Sequence, residues 1–137
     1  MIFPLIDTNV LSELSRAQPH PEVERWDSGV SRVAISVITI TEVQQGFSWK
    51  PRPKKERWFE AFLQHRCEIL PVTATVARSA GMLCGRLQAM GQPRSLADML
   101  IAATALVHGR TLVTRNIRDF QSCNIVLFNP FPPPASP

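Results

Sequence analysis

Residues 2–9 read IFPLIDTN, an apolar run followed at once by a carboxylate, a hydroxyl and an amide. The run from Ile2 to Ile6 has the composition of a buried β-strand, and the polar residues mark the point where that strand ends. Asp7 could cap a helix that begins at Thr8, or it could belong to a functional site. The choice depends on what else the chain places near the ends of its strands.

Four further apolar runs follow the first, and helix-like stretches separate them. The five predicted strands are Ile2–Ile6, Val33–Ile38, Glu68–Val72, Thr111–Thr114 and Ile125–Phe128. These runs are nearly continuous in apolar residues and do not alternate with polar ones, which is typical of strands buried on both faces. The pattern predicts an α/β fold with a central parallel sheet covered by helices.

The helical stretches between these runs can be placed coarsely. The predicted helices are Asn9–Arg16, Pro21–Trp26, Thr41–Trp49, Lys54–His65, Ala74–Met90 and Leu96–His108, the last closed by Gly109. We expect residues 1–128 to form a single domain. Residues 129–137 contain five prolines in nine positions, so we expect an extended, frayed tail.

Composition excludes several classes of protein. Hydrophobic residues make up 45% of the chain and charged residues 19%, which is typical of a globular domain rather than a disordered one. No apolar run approaches the roughly 20 residues that a membrane helix needs, and the N-terminus lacks the features of a secretion signal. We therefore expect a cytoplasmic protein with no membrane partner. The net charge of +4 favours a polyanionic partner without naming one.

Acidic residues stand near the predicted strand ends. Asp7 follows the first strand, Glu42 starts the helix after the second, Asp98 lies in the first turn of the helix before the fourth, and Asp119 comes five residues after Thr114. In an open parallel sheet, ligands bind outside the carboxyl ends of the strands. The four acids could therefore converge at one edge of the sheet.

Each acid also has a purely structural interpretation. Thr39–Glu42 and Ser95–Asp98 both resemble capping boxes, in which the acid reaches back to the amide of the cap residue. Asp7 could cap the first helix, and Asp119 could cap a short turn through Phe120. Taken singly, the acids favour capping.

The energies change this balance if the four acids converge. A cap contributes about 1 kcal/mol, whereas two carboxylates 4 Å apart repel by about 4 kcal/mol at an effective dielectric constant near 20. A convergent cluster therefore requires a counter-charge. Oxygen ligands without histidine or thiolate select a hard cation such as Mg²⁺ or Mn²⁺.

Four stretches of the sequence together resemble the PIN-domain ribonucleases found as VapC-type toxins, most nearly the FitB and StbB branch. The stretches are Leu5–Glu13, Ser36–Val43 with Gly46, Ala97–Ala105 and Leu112–Phe120. The resemblance implies a three-layer α/β/α sandwich with a five-stranded parallel sheet. It also implies an Mg²⁺-dependent endoribonuclease, with Mn²⁺ as a second candidate ion, that acts as the toxin of a type II toxin–antitoxin pair.

The resemblance further assigns residues and partners. The acidic, metal-binding cluster would be Asp7, Glu42, Asp98 and Asp119, supported by Thr8, Asn9, Thr114 and Asn116. Some family members place the last acid where Asn116 stands, so either Asp119 or Asn116 could complete the site. The implied partners are an RNA substrate, an antitoxin protein that blocks the acidic site, and a second copy of the chain in a homodimer. A larger complex with antitoxin and DNA is also compatible.

Basic residues near these stretches are candidates for RNA contact. Arg115 and Arg118 flank the last stretch, and the segment Trp49–Trp58 carries Lys50, Arg52, Lys54 and Lys55 between two tryptophans. The alternative for Arg115 and Arg118 is that both are simply solvated. The alternative for the segment Trp49–Trp58 is a solvated loop whose tryptophans reach back into the core or a dimer surface.

Two rival functions compete with the first: one is another enzyme class, and the other is a binding module without catalysis. A haloacid-dehalogenase or response-regulator domain also places an aspartate after its first strand, but a dehalogenase needs a second aspartate where Asn9 stands, and a receiver needs an earlier acidic pair. A non-catalytic PIN-like module that binds RNA or protein through the same crevice remains the alternative to the nuclease.

Overall fold

The computed structural model describes residues 2–133, and its centre is a five-stranded sheet. The strands are β1 (Leu5–Ile6), β2 (Val33–Ser36), β3 (Cys67–Leu70), β4 (Leu112–Val113) and β5 (Leu127–Phe128). Their order across the sheet is β3-β2-β1-β4-β5, and all neighbouring strands are parallel. The predicted parallel sheet of five strands is confirmed.

Helices cover both faces of this sheet. They are α1 (Thr8–Leu14), α2 (Pro21–Ser28), α3 (Val37–Trp49), α4 (Pro53–Arg66), α5 (Ala74–Ala89), α6 (Leu96–His108) and the short α7 (Ile117–Phe120), which a 3₁₀ turn at Gln121–Cys123 extends. Within residues 2–133, no helix is both long enough and apolar enough to span a bilayer.

Side chains of successive strand residues point to opposite faces of the sheet, so each strand contributes side chains to two hydrophobic cores. Leu5 and Leu112 pack with the buried faces of α5 and α6, whereas Ile6 and Val113 pack with α1, α2 and α4. All four side chains are buried. The two cores lie on opposite sides of one sheet, which confirms the predicted three-layer α/β/α sandwich.

Several element boundaries differ from those predicted. Helix α6 has the predicted bounds, and Gly109 ends it in the left-handed conformation (φ 63°), where glycine carries no steric penalty. The predicted strand Val33–Ile38 ends at Ser36 instead, because the Ser36 hydroxyl accepts the N–H of Ile38 (3.0 Å) and starts α3. The capping box at Thr39–Glu42 is therefore wrong, since Glu42 lies in the second turn of that helix.

The start of the C-terminal tail is packed against the domain. Pro130 is buried, and the half-buried Phe131 packs against the core beneath α1 and α2. The N–H of Phe131 donates to Asn129 Oδ1 (2.9 Å). The prediction of a frayed tail is thus wrong for these residues, because an aromatic ring interrupts the prolines and finds an apolar surface. Residues 134–137 lie outside the described part of the chain.

The Ser36 cap can be tested directly. Removing its hydroxyl in Ser36→Ala leaves a helix N–H without a partner, so we expect a loss of about 1 kcal/mol in the free energy of unfolding. Thr41→Ala is the control, because Thr41 is exposed and its hydroxyl only bonds back to the Val37 carbonyl. We expect the control to change stability by less than about 0.5 kcal/mol in urea unfolding. Equal losses in both variants would contradict the assigned start of α3.

Candidate active site

The order of the strands creates one crevice at the middle of the sheet. From β1 the chain winds outward to β2 and β3, then returns to the other side of β1 to form β4 and β5. The winding direction therefore reverses between β1 and β4, and open α/β sheets bind ligands at such a point, outside the carboxyl ends of the strands. Asp7 follows β1 and Thr114 follows β4, so both lie at this position.

Asp7 is a buried carboxylate held by neutral donors. One oxygen, Oδ1, accepts the backbone N–H of Thr8 (2.8 Å), and this bond caps α1. The other, Oδ2, accepts the Thr114 hydroxyl (2.8 Å) and the Asn9 side-chain amide (3.1 Å). Only 5% of Asp7 is exposed. Within residues 2–133 no lysine or arginine forms an ion pair with it.

Burial raises the pKa of Asp7 above its ordinary value, and the charge of Glu42 raises it further. The hydrogen bonds from Thr114, Thr8 and Asn9 oppose this rise without cancelling it. Neutral donors spread the charge of a carboxylate but do not neutralise it. Asp7 therefore lacks a counter-charge among the described residues that would stabilise its ionised form.

Two of the predicted supporting residues tie α1 to the loop after β4. The Asn9 side-chain oxygen accepts the N–H of Arg115 (3.1 Å), while its amide binds Asp7. The Thr114 hydroxyl accepts the N–H of Asn116 (3.0 Å) while it donates to Asp7. Asn9 and Thr114 thus fix the Asp7 carboxylate against both sides of the crevice.

Glu42 reaches the same crevice from α3. The Thr8 hydroxyl donates to Glu42 Oε1 (2.8 Å) and lies 3.1 Å from the hydroxyl of the fully buried Thr39. Thr8 therefore links the two acids, because its N–H donates to Asp7 and its hydroxyl donates to Glu42. The glutamate itself is exposed at the mouth of the crevice.

Asp98 and Asp119 extend the acidic site beyond Asp7. Ser95 caps α6 by accepting the N–H of Asp98 (3.1 Å). Burial raises the pKa of Asp98, and so do the charges of Asp7 and Asp119, whereas Ser95 and Arg94 lower it. Asp98 thus lies within electrostatic range of both neighbouring acids.

Asp119 does not cap a turn through Phe120, as one interpretation had it. It is the third residue of α7, whose cap position is held by Asn116, and its N–H binds the Asn116 carbonyl (3.1 Å). Arg94, which the sequence did not single out, donates to the Asp119 carbonyl (3.1 Å) and lies 4.0 Å from its carboxylate. The sequence signal that could have identified Arg94 was its position directly before Ser95, the residue that caps the helix carrying Asp98.

The four acids form an electrostatically coupled series in the order Glu42, Asp7, Asp98 and Asp119. In the described part of the chain, no three histidine, cysteine, aspartate or glutamate side chains are arranged to hold a metal ion. The series is nevertheless chemically suited to a hard divalent cation, because its donors are carboxylate and hydroxyl oxygens and its carboxylates repel one another. Holding an ion requires the acidic side chains to draw closer together.

A groove of about 310 Å³ begins at Thr8 and Glu42 and runs between α1, α3 and α4. Its wall is mainly apolar and its rim is basic. The lining residues that matter below are Leu11, Val43, Gly46, Phe47, Trp58, Lys50, Arg52 and Lys55. Lys54 is exposed outside the groove, and Arg118 is exposed on α7. Sequence reasoning missed the apolar wall, because its residues belong to three separate helices.

The two tryptophans of the basic segment behave differently. Trp58 stacks on Phe62 with 4.9 Å between ring centroids and packs against the core. Trp49 is 77% exposed, and the Lys50 ammonium lies 4.5 Å from its ring centroid. The core interpretation therefore holds for Trp58 and fails for Trp49.

Comparison with known proteins points to one family. A family model described as PIN domain matches residues 5–123, which include all four acids. VapC ribonuclease Y4jK of Sinorhizobium fredii is 30% identical over 94% of this chain and 98% of its own length. Toxin FitB of Neisseria gonorrhoeae is 33% identical over 93% of this chain and 97% of its own.

A solved structure gives the same answer for the fold. The crystal structure of VapBC2 from Rickettsia felis bound to a DNA fragment from their promoter superposes with a TM-score of 0.81. The two chains are 27% identical, and the match covers 93% of this chain and 97% of the other. The similarity thus extends over every layer of the sandwich.

The repulsion within the acidic series predicts a measurable effect of pH. The folded-state pKa of Asp98 is raised above its ordinary value of 3.8, so its contribution to stability is present below pH 3.8 and is lost as pH rises through the raised pKa. In metal-free buffer at pH 7, we expect Asp98→Asn to raise the unfolding midpoint by about 3–5 °C. The difference from the unsubstituted protein should shrink as pH falls towards 4.

A matched control is Glu60→Gln, which removes an exposed acid on α4. We expect its midpoint to stay within about 1–2 °C of the original at both pH values. Two results would show that the acids do not repel one another in the folded protein. One is an unfolding midpoint of Asp98→Asn at pH 7 that is no higher than the original, and the other is a rise in the midpoint that is larger at pH 4 than at pH 7.

Proposed function

The chain belongs to the PIN-domain family, and on that premise we propose that it is a metal-dependent endoribonuclease acting as the toxin of a toxin–antitoxin pair. The names of its relatives support both parts, since one is a VapC ribonuclease and another is toxin FitB. The observation that carries the proposal is the buried Asp7 carboxylate, coupled to other acids and without a counter-charge among residues 2–133. An acidic crevice of this kind is suited to Mg²⁺ or Mn²⁺ and to phosphodiester hydrolysis.

Individual residues have distinct proposed roles. Asp7 and Asp98 would hold the ion directly, Glu42 would act through water or as the base, and Asp119 or Asn116 would complete the site. When bound, the ion would activate a water molecule and stabilise the negative charge that develops on the phosphoryl oxygens. The proposal is supported by the bonds from Thr8, Asn9 and Thr114, because they leave the Asp7 carboxylate little freedom to rotate.

Positive charges at the mouth of the crevice would guide RNA. Lys50, Arg52 and Lys55 lie along the groove that starts at Glu42, and their charges would attract phosphates that the acids repel. Lys54 and Arg118 are exposed nearby on α4 and α7, where each could add to the same attraction.

The groove also fits a protein partner. Its wall is apolar, its rim is basic, and it ends at Glu42 beside the acidic series. An amphipathic antitoxin segment could bury its apolar face here and place a basic side chain among the acids. Leu11 lines this groove and also belongs, with Val10 and Leu14, to the buried core of the sandwich.

A larger assembly follows from the same proposal. The VapBC2 structure from Rickettsia felis contains promoter DNA, so we propose that this chain joins an antitoxin in a complex that binds DNA. We also propose that the toxin forms a homodimer and acts in the cytoplasm. A small antitoxin encoded by the adjacent reading frame is the expected genetic context.

Asp7 provides the first test of the nuclease. We expect Asp7→Asn to lower the rate of Mg²⁺-dependent RNA cleavage by at least about a hundredfold, because it removes the buried charge around which the site is built. Cleavage of a labelled RNA pool is measured by gel electrophoresis with Mg²⁺ and with a chelator. Thermal melting of each variant shows whether the fold persists.

Glu60→Gln again serves as the control and should cleave at the original rate. Equal cleavage by folded Asp7→Asn protein would remove Asp7 from the active site. RNA binding without any metal-dependent cleavage by the unsubstituted protein would favour the non-catalytic PIN-like module.

Gly46 provides a test of the partner groove. A Cβ added at Gly46 or at Gly81 meets no heavy atom within 4 Å, so the first side-chain atom of a replacement fits at either position. Gly46→Leu places a larger side chain at a position that lines the groove, so it should weaken antitoxin binding at least tenfold. Because leucine favours helices over glycine by about 0.8 kcal/mol, the free protein should not lose stability.

Gly81→Leu is the matched control, since Gly81 lies on α5 on the other face of the sheet. Isothermal titration with the antitoxin from the adjacent reading frame should give an unchanged affinity for this variant. If both leucine variants bind the antitoxin as tightly as the original protein, the groove is not its docking site.

A further inference from the structure

Arg115 is anchored beside the acidic series through its backbone. It directly follows Thr114, whose hydroxyl binds Asp7, and its own N–H donates to Asn9 Oδ1 (3.1 Å). Both of these partners also bind the Asp7 carboxylate. The position of the Arg115 main chain is therefore set by the same network that holds Asp7.

The Arg115 guanidinium lies over the ring of Phe131, 4.6 Å from its centroid. Among residues 2–133 it forms no ion pair and donates no side-chain hydrogen bond. Because the contact with the ring is made at the guanidinium carbon and the side chain has no hydrogen-bond partner among residues 2–133, the N–H groups at the edges of the guanidinium are available to a ligand. Those edges match the oxygens of a phosphate in a bidentate arrangement.

Phe131 is itself fixed in place. Its ring packs against the core beneath α1 and α2, its N–H binds Asn129, and the preceding Pro130 is buried. The tail thus provides a rigid surface for Arg115 rather than a loose covering. Ordering the long arginine side chain before it meets a ligand reduces the entropy lost on binding.

Arg115 lines a cleft between the end of α1, the segment that follows it and the start of the tail. Residues Arg16, His20, Arg115 and Phe131 are among those that line it. Arg16 is already paired with Glu13 (3.1 Å), and His20 uses its Nδ1 to accept the N–H of Glu22. Arg115 is thus the arginine in this cleft that has no acidic partner among the described residues.

We propose that Arg115, stacked on Phe131, is a phosphate-binding residue for the RNA strand where it leaves the acidic crevice, and that Phe131 is its positioning residue. The proposal rests on the proposed function for its choice of RNA as the ligand. It makes the first part of the C-terminal tail a component of the substrate site. An acidic segment of a partner protein is the competing ligand, and the test separates the two.

The test measures RNA binding, so that it does not depend on cleavage. A fluorescein-labelled single-stranded oligouridylate is titrated with the full-length protein in chelator, and anisotropy gives Kd over a series of salt concentrations. The variants are Arg115→Gln, Phe131→Leu, Phe131→Tyr and the Arg115→Gln/Phe131→Leu pair. Arg78→Gln controls for net charge, because Arg78 is exposed on α5 on the other face of the sheet.

We expect Arg115→Gln to raise Kd about tenfold and to reduce the slope of log K against log salt by about 0.7, the value for one phosphate contact on a single strand. Phe131→Leu should raise Kd about two- to fivefold. Phe131→Tyr keeps an aromatic ring and should therefore bind the RNA with the original Kd. In the Arg115→Gln background Phe131→Leu should have no further effect, because the ring acts only through the arginine. Arg78→Gln should leave both Kd and slope near their original values.

Several outcomes would overturn the proposal. The first is an unchanged Kd and salt slope in Arg115→Gln. The second is an equal rise in Kd on Phe131→Leu whether or not Arg115 is present. The third is no measurable binding of the oligouridylate by the unsubstituted protein at low salt. A loss of antitoxin affinity in Arg115→Gln with unchanged RNA affinity would assign the residue to the protein partner instead. Failure of the nuclease function itself would appear separately, as absent cleavage by a protein whose RNA binding still depends on Arg115.

Discussion

The burial of the Asp7 carboxylate at the end of the central strand is the constraint on which the rest of the site depends. Three neutral donors hold it, from the start of α1 and from the end of β4, and in the described residues no cation neutralises it. Hydrogen bonds fix such a group in orientation but leave its charge in place. The fold therefore fixes a buried carboxyl group at one point without a cation among the described residues to offset the cost of ionising it, which is a costly feature in a structure without a functional use for it.

Sheet topology explains why the other acids share this point. Because the chain reverses its winding direction beside β1, the ends of β1 and β4 border one crevice. Helices α3 and α6 carry Glu42 and Asp98 within electrostatic range of Asp7. Thr8 then links Glu42 to Asp7, while Ser95 fixes the turn that carries Asp98. Asp7 itself caps α1, and Ser95 caps α6 by accepting the N–H of Asp98, so capping and site formation are not alternatives here.

The sequence was sufficient for the layers and for the positions of the acids along the chain, but not for every boundary. Near-continuous apolar runs predicted the parallel sheet, and Gly109 fixed the end of α6 because it can adopt a left-handed conformation. Ser36 and Thr39 both precede helical sequence, and only tertiary packing decides which of them caps α3. Phe131 was hidden among prolines, because its packing depends on a core surface assembled from distant residues.

Long-range contacts were similarly beyond the reach of sequence patterns. The groove beside Glu42 is built from three helices, and the Arg115 side chain meets a ring 16 positions further along the chain. Such contacts leave no periodic signal in the sequence, since each residue on its own has an ordinary local role. The resemblance to the PIN-domain family located the acids, whereas the partners of each acid were visible only in three dimensions.

The central claim is that the acidic series binds a divalent cation, and Mn²⁺ binding to the unsubstituted protein tests it most directly. Electron paramagnetic resonance measures free Mn²⁺ as protein is added, and a weakly buffered solution reports proton release at the same time. Because the pKa values of Asp7 and Asp98 are raised, saturable binding should release protons and should tighten as the pH rises from about 5 to 7. Mn²⁺ that stays free at high protein concentration, throughout that pH range, would contradict the account.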